Sequence, residues 1–241
     1  MKKIVFLSLF SLLILGGCDL LQSLNISDFK VPVTTTPALT NAEVVQGLKE
    51  ALTVGTSNAV KVLNVQNGFF GDPLIKILFP PEVKFVEDKL RQFGMNKIVD
   101  DFILQMNRGA ENAVAKASPI FVNAVKSMSI SDAMGILKGD QNAATMYFKK
   151  TTSTALFNTF KPEVKSVLDQ MKVTQYWTDV TTAYNKLPMA QKVETDLAKY
   201  VTEKTMDGLF LKLAAEEKKI RENPAARVSD ILKKVFGSLD K

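Results

Sequence analysis

The chain has 241 residues, 31 Lys and Arg against 25 Asp and Glu for a net charge of +6, no histidine and a single cysteine. Without an imidazole, Ser-His-Asp and Cys-His catalysis are excluded, and zinc, which takes Cys or His ligands in nearly every known geometry, is disfavoured. The positive excess is spread along the chain and makes no block able to track phosphates, which argues against nucleic acid as a partner.

The first element is a leader. Lys2 and Lys3 precede a twelve-residue apolar run, Ile4 to Leu15, and Gly16 and Gly17 stand directly before Cys18. Charge, apolar run and small residues in that order are a secretory signal, and the run falls short of the about 20 apolar residues that span a bilayer. The stretch Leu15-Gly16-Gly17-Cys18 resembles the bacterial lipobox. That resemblance implies removal of residues 1–17, a lipid on Cys18 and acylation of the new amino group. The protein would then sit in the bacterial cell envelope, lipid-anchored, with its domain outside the cytoplasm, periplasmic or at the cell surface. An ordinary signal peptide with a chance cysteine is the competing reading. Removal of Lys2 and Lys3 and of no acid would lower the net charge from +6 to +4.

Residues 18–39 carry Pro32, Pro37 and three consecutive threonines, Thr34 to Thr36, and lack helical periodicity. Proline and β-branched residues disfavour helix, so this is expected to be an extended tether. From Thr40 onward, helix-start signals recur. Thr40 with Glu43 and Ser129 with Asp132 have capping-box spacing. Asp72-Pro73, Ser118-Pro119 and Asn223-Pro224 each place a capping side chain before a proline, and Lys161-Pro162-Glu163 is expected to open a further helix. Apolar stripes run between these signals: Ile98, Phe102, Met106, Ala110, Ala113 and Ala117 in one stretch, and Leu197, Val201, Leu209, Leu213 and Ile220 in another. With no alternating strand pattern, the fold class is all-α. Residues 40–241 are expected to form one compact multi-helix domain of about nine to ten helices. It should fold without lipid, metal, cofactor or disulfide, since about 200 residues suffice for a core.

Along this domain, Gly68-Phe69, Met106-Asn107-Arg108, Asp132-Ala133, Ile136 to Gly139, Ala144 to Tyr147, Tyr200-Val201-Thr202, Asp207 to Phe210, and Ile220-Arg221 with Pro224 occur in order. In these motifs the chain resembles the bacterial family catalogued as DUF 4197. The resemblance implies an exported helical envelope domain and brings no activity or catalytic residue with it.

The candidate site residues follow from helical spacing. Asn107 and Glu111 lie one turn apart with Arg108 between them, and Glu203 and Asp207 are likewise one turn apart beside Gly208. A pocket in which Arg108 grips an anionic group competes with an interhelical ion-pair network near the core, and the network is preferred. Trp177 with Tyr176 and Tyr184 could stack on a sugar, although aromatics at helical spacing more often fill a core. Gly68-Phe69-Phe70-Gly71 reads as a turn with a greasy tip, and Glu216-Glu217-Lys218-Lys219 as a solvated helix face. The 15 phenylalanines and nine methionines point to a large, pliable core that could hold a hydrophobic ligand between helices.

These observations favour a membrane-anchored, non-enzymatic binding or scaffold domain for a partner envelope protein, lipid or small ligand. The alternative is a carboxylate-dependent hydrolase acting on cell-envelope polymer.

Overall fold

The computed structural model describes residues 39–238 apart from 171–172, 187 and 189–191. The leader, Cys18 and the tether up to residue 38 lie outside the described residues. Among the described residues there are nine α-helices and no strand: α1 (Asn41–Leu63), α2 (Lys84–Gln92), α3 (Asn96–Val114), α4 (Ala117–Ser127), α5 (Ile130–Lys138), α6 (Ala143–Asp169), α7 (Val173–Tyr184), α8 (Leu197–Glu222) and α9 (Asp230–Gly237). Short 3-10 turns at Pro81–Val83 and Pro224–Ala226 precede α2 and α9.

The long helices α6 and α8 pack along each other, and α3 lies against both. On the other side α1 packs on α8 and is flanked by α4, α5 and α9. The core between these layers is filled by Phe69, Phe121, Phe148 and Phe160, all fully buried. The stripe expected on α8 is present, with Leu197, Val201, Leu209, Leu213 and Ile220 all buried.

Local signals and tertiary packing agree at some helix starts and not at others. Both capping boxes form: the Thr40 hydroxyl accepts from the Glu43 N–H, and the Ser129 hydroxyl from the Asp132 N–H. Asn223 caps the turn at Pro224–Ala226. Ser118 is not a cap, because α4 begins at Ala117 after Lys116, whose backbone is already helical. Asp72 caps a turn rather than a helix, its carboxylate accepting from the Leu74 N–H at 3.0 Å. Pro162 does not open a helix but lies inside α6. An interior proline costs about 3 kcal/mol. The helix runs through it because Leu156, Phe160, Val164 and Leu168, spaced one turn apart, are all buried on one face. Ile98 does not join its stripe: it is 63% exposed, and the buried face of α3 starts at Val99.

The two ends of the domain are tied by Glu43 on α1 and Lys234 on α9. The Lys234 ammonium, helped by the Thr40 N–H and hydroxyl, holds the Glu43 carboxyl down at about 2 against an ordinary 4.5. A depressed carboxyl pKa stabilises the folded state above the unfolded value, and that contribution disappears as pH falls through the folded one. The stability advantage of wild type over Lys234→Met should therefore be full above pH 4.5 and vanish towards about pH 2. Melting temperatures measured across that window check this, and a gap that stays constant with pH would refute it.

Candidate functional site: a clamped loop between two helices

Residues 64–80 link α1 to the Pro81 turn without forming a helix. A partly buried loop must find partners for its own N–H and C=O groups, and here α3 supplies them. The buried Glu111 carboxylate accepts from the Phe69 N–H at 3.1 Å and the Phe70 N–H at 3.2 Å through Oε1. Its Oε2 takes an ion pair from Arg108. Arg108 also donates to the Asn67 side chain at 2.9 Å. Asn107, fully buried, treats Ile77 as a strand neighbour would: its Oδ1 accepts from the Ile77 N–H and its Nδ2 donates to the Ile77 carbonyl, both at 2.9 Å.

Helix α8 holds the loop from the other side. Lys212 pairs with Asp72 and, with the Leu74 N–H, holds the Asp72 carboxyl below its ordinary value. The Tyr200 hydroxyl donates to the Leu78 carbonyl at 3.0 Å, and burial pushes its phenol up to about 12, so the donor stays protonated. Phe69 is the plug rather than an exposed tip: it is fully buried, and its ring lies where Gly208 carries no side chain. A Cβ on residue 208 would stand 2.7 Å from that ring, so glycine here is a condition of loop docking. Phe70 is half-buried, and the Lys76 ammonium sits 3.9 Å above its ring.

Of the five residues anticipated as a polar cluster, the structure brings together Asn107, Arg108 and Glu111 as this clamp. Glu203 and Asp207 are exposed on α8 and do not join it. Asp207 pairs with Lys204 at 3.4 Å. With Glu203, Ser153 and Asn158 it lines a groove of about 350 Å³ between α6 and α8. It also borders a groove of about 510 Å³ between the clamped loop and α8, where Leu74, Leu78 and Leu211 are exposed beside Lys76 and Lys204.

A second buried acid, Glu217, escaped the sequence reading, which placed it on a solvated face. It accepts from the N–H groups of Ala144 and Thr145 and from the Thr145 hydroxyl, each at 2.9 Å. Glu217 thus caps the first turn of α6 from α8. Arg221 binds the same carboxylate at 2.9 Å and reaches the Ile136 carbonyl near the end of α5 at 2.8 Å. The cavity beside this pair, walled by Leu48, Leu52, Leu213 and Phe236, has about 20 Å³. That is room for one water and not for an acyl chain.

Trp177 belongs to the core. It is buried, donates to the Glu194 carbonyl at 3.0 Å and stacks on Phe102 at 5.9 Å. Tyr184 is half-buried against Phe85, and the Tyr176 side chain lies outside the described residues. Among the described residues no group of three or more acidic or cysteine side chains is placed to hold a metal ion.

These features define an all-helical domain whose buried acids and amide cap helices and hold a loop by its backbone. Residues 38–237 match the family model described as Protein of unknown function (DUF4197), and the chain belongs to that family. No curated protein and no solved structure matches it.

Proposed function

We propose that the protein is a bacterial envelope lipoprotein held to the membrane through Cys18. Its helical domain acts as a non-enzymatic module that binds a partner protein in the groove between residues 74–81 and α8. The observation that carries the binding reading is how the polar side chains that face the loop are used. Glu111, Asn107 and Tyr200 all bond loop backbone, and they hold a firm wall whose open side shows Leu74, Leu78 and Leu211. An apolar centre rimmed by Lys76, Lys204 and Asp207 has the make-up of a protein interface.

Crosslinking in intact cells with the full chain tests this. Wild type should capture one envelope protein that Leu74→Glu and Leu78→Glu both lose at unchanged melting temperature; unaltered capture by both variants would sink the groove. For the anchor, Cys18→Ser should leave the precursor uncut by the lipoprotein peptidase. Normal maturation of that variant, with no labelled fatty acid on wild type, would refute lipidation. The hydrolase alternative rests on Glu203 and Asp207 in the second groove. It requires digestion of envelope polymer by the purified protein, abolished by Asp207→Asn.

A further inference from the structure

The clamped loop contains the single Asn-Gly pair of the chain, Asn67-Gly68, and both residues are there for conformational reasons. Asn67 has φ +67°, in the left-handed region that asparagine tolerates better than most residues with a side chain. A Cβ on residue 68 would stand 2.3 Å from the Leu63 carbonyl oxygen, so that position admits only glycine. Together they carry a chemical weakness. With no side chain in the way, the Gly68 nitrogen can attack the Asn67 side-chain carbonyl. A bond forms between that nitrogen and Cγ, the bond from Cγ to the side-chain amide nitrogen breaks, and ammonia leaves, taking up by way of solvent the proton that Gly68 gives. Water then opens the succinimide, mostly to isoaspartate and partly to aspartate. In the docked loop both reacting groups are engaged elsewhere. The Gly68 N–H donates to the Val65 carbonyl, and the Gly71 N–H to the Asn67 carbonyl, each at 2.9 Å. The Asn67 side-chain oxygen accepts from Arg108 at 2.9 Å, and Arg108 is itself paired with Glu111. Asn67 is exposed, so water reaches the position.

We propose that Asn67 is a modification site gated by the clamp: its amide survives while the loop is docked and turns to isoaspartate once the loop comes away from Arg108. Opening of one loop does not require global unfolding. The change is one-way. Isoaspartate inserts an extra methylene into the backbone between residues 67 and 68. That turn is already tight, since Cβ atoms on Gly68 and Gly71 would stand 2.3 and 2.8 Å from backbone oxygens. It also adds a negative charge to a loop that docks through the Glu111 carboxylate. A loop so altered does not redock, and the chain keeps a covalent record of having opened.

The test incubates the full chain at neutral pH and follows the tryptic peptide 62–76 by mass spectrometry, separating asparagine, aspartate and isoaspartate at position 67. Asn64, followed by Val65, is the control within the same peptide. Native wild type should deamidate at Asn67 about a hundredfold more slowly than the same chain in urea, because only the rare open loop reacts. Arg108→Met, with its helical circular dichroism intact, should speed the native reaction about tenfold, and Glu111→Ala about thirtyfold. Asn64 should stay unchanged in all of them. Chains carrying isoaspartate should exchange the Phe69, Phe70 and Ile77 amides rapidly while α9 stays protected. Equal rates in buffer and urea, or an unchanged or slower reaction in folded Arg108→Met, would overturn the gating. Native exchange in the isoaspartate chains would overturn the one-way step.

Discussion

Replacing Glu217 by Ala should lower the stability of the domain by about 3–5 kcal/mol, because the change leaves a buried partner charge without its mate. Three donors lose their acceptor together: the Ala144 N–H, the Thr145 N–H and the Thr145 hydroxyl. Arg221 keeps only carbonyl partners for its buried charge. For a domain of this size the loss corresponds to roughly 6–20 °C in melting temperature. Glu217→Gln keeps the shape and one acceptor oxygen and should cost about 1–2 kcal/mol. Lys218→Ala, one residue along on the exposed side, should stay within about 0.5 kcal/mol. Thermal melts of the three variants separate a buried cap from a solvated face. Equal, small effects at 217 and 218 would restore the solvated reading.

Glu217 also shows where a sequence stops being informative. Two acids followed by two lysines suit an exposed helix face, and Lys218 and Lys219 are exposed. What sets Glu217 apart is the start of α6, 72 and 73 residues earlier, and no local pattern records that approach. The same holds for Asn107, whose partner Ile77 is 30 residues away. The capping boxes at Thr40 and Ser129 were legible because both halves of each bond lie within one turn. Pro162 and Ile98 failed in opposite directions. At Pro162 the burial of a continuous stripe outweighs a local helix-breaking preference. At Ile98 a correctly spaced residue falls past the end of the core because the chain reverses at Gly94. The α8 stripe was readable since its whole face is buried. The division of the polar residues into a clamp and an exposed pair was not, because spacing along α8 does not say which face meets α3.

Glu111→Ala should cost about 2–4 kcal/mol, since each backbone N–H left without its acceptor costs about 1–3 kcal/mol. It leaves the Phe69 and Phe70 N–H groups and the Arg108 guanidinium without their carboxylate. Arg108→Met should cost less, about 1–2 kcal/mol, since Arg108 reaches solvent and Glu111 keeps two backbone donors. The pair should be coupled. Once the carboxylate is gone, removing Arg108 relieves an unpaired charge, so the double variant should lose about 1 kcal/mol less than the sum of the singles. Because Phe69 is seated against Gly208, the damage should spread through the loop. Hydrogen exchange should quicken at Phe69, Phe70 and Ile77 together in Glu111→Ala, while α9 stays protected. Additive losses would mean that the two side chains do not act as one clamp. An unchanged melting temperature with loss of crosslinking to the partner would move Arg108 and Glu111 from scaffold to binding site.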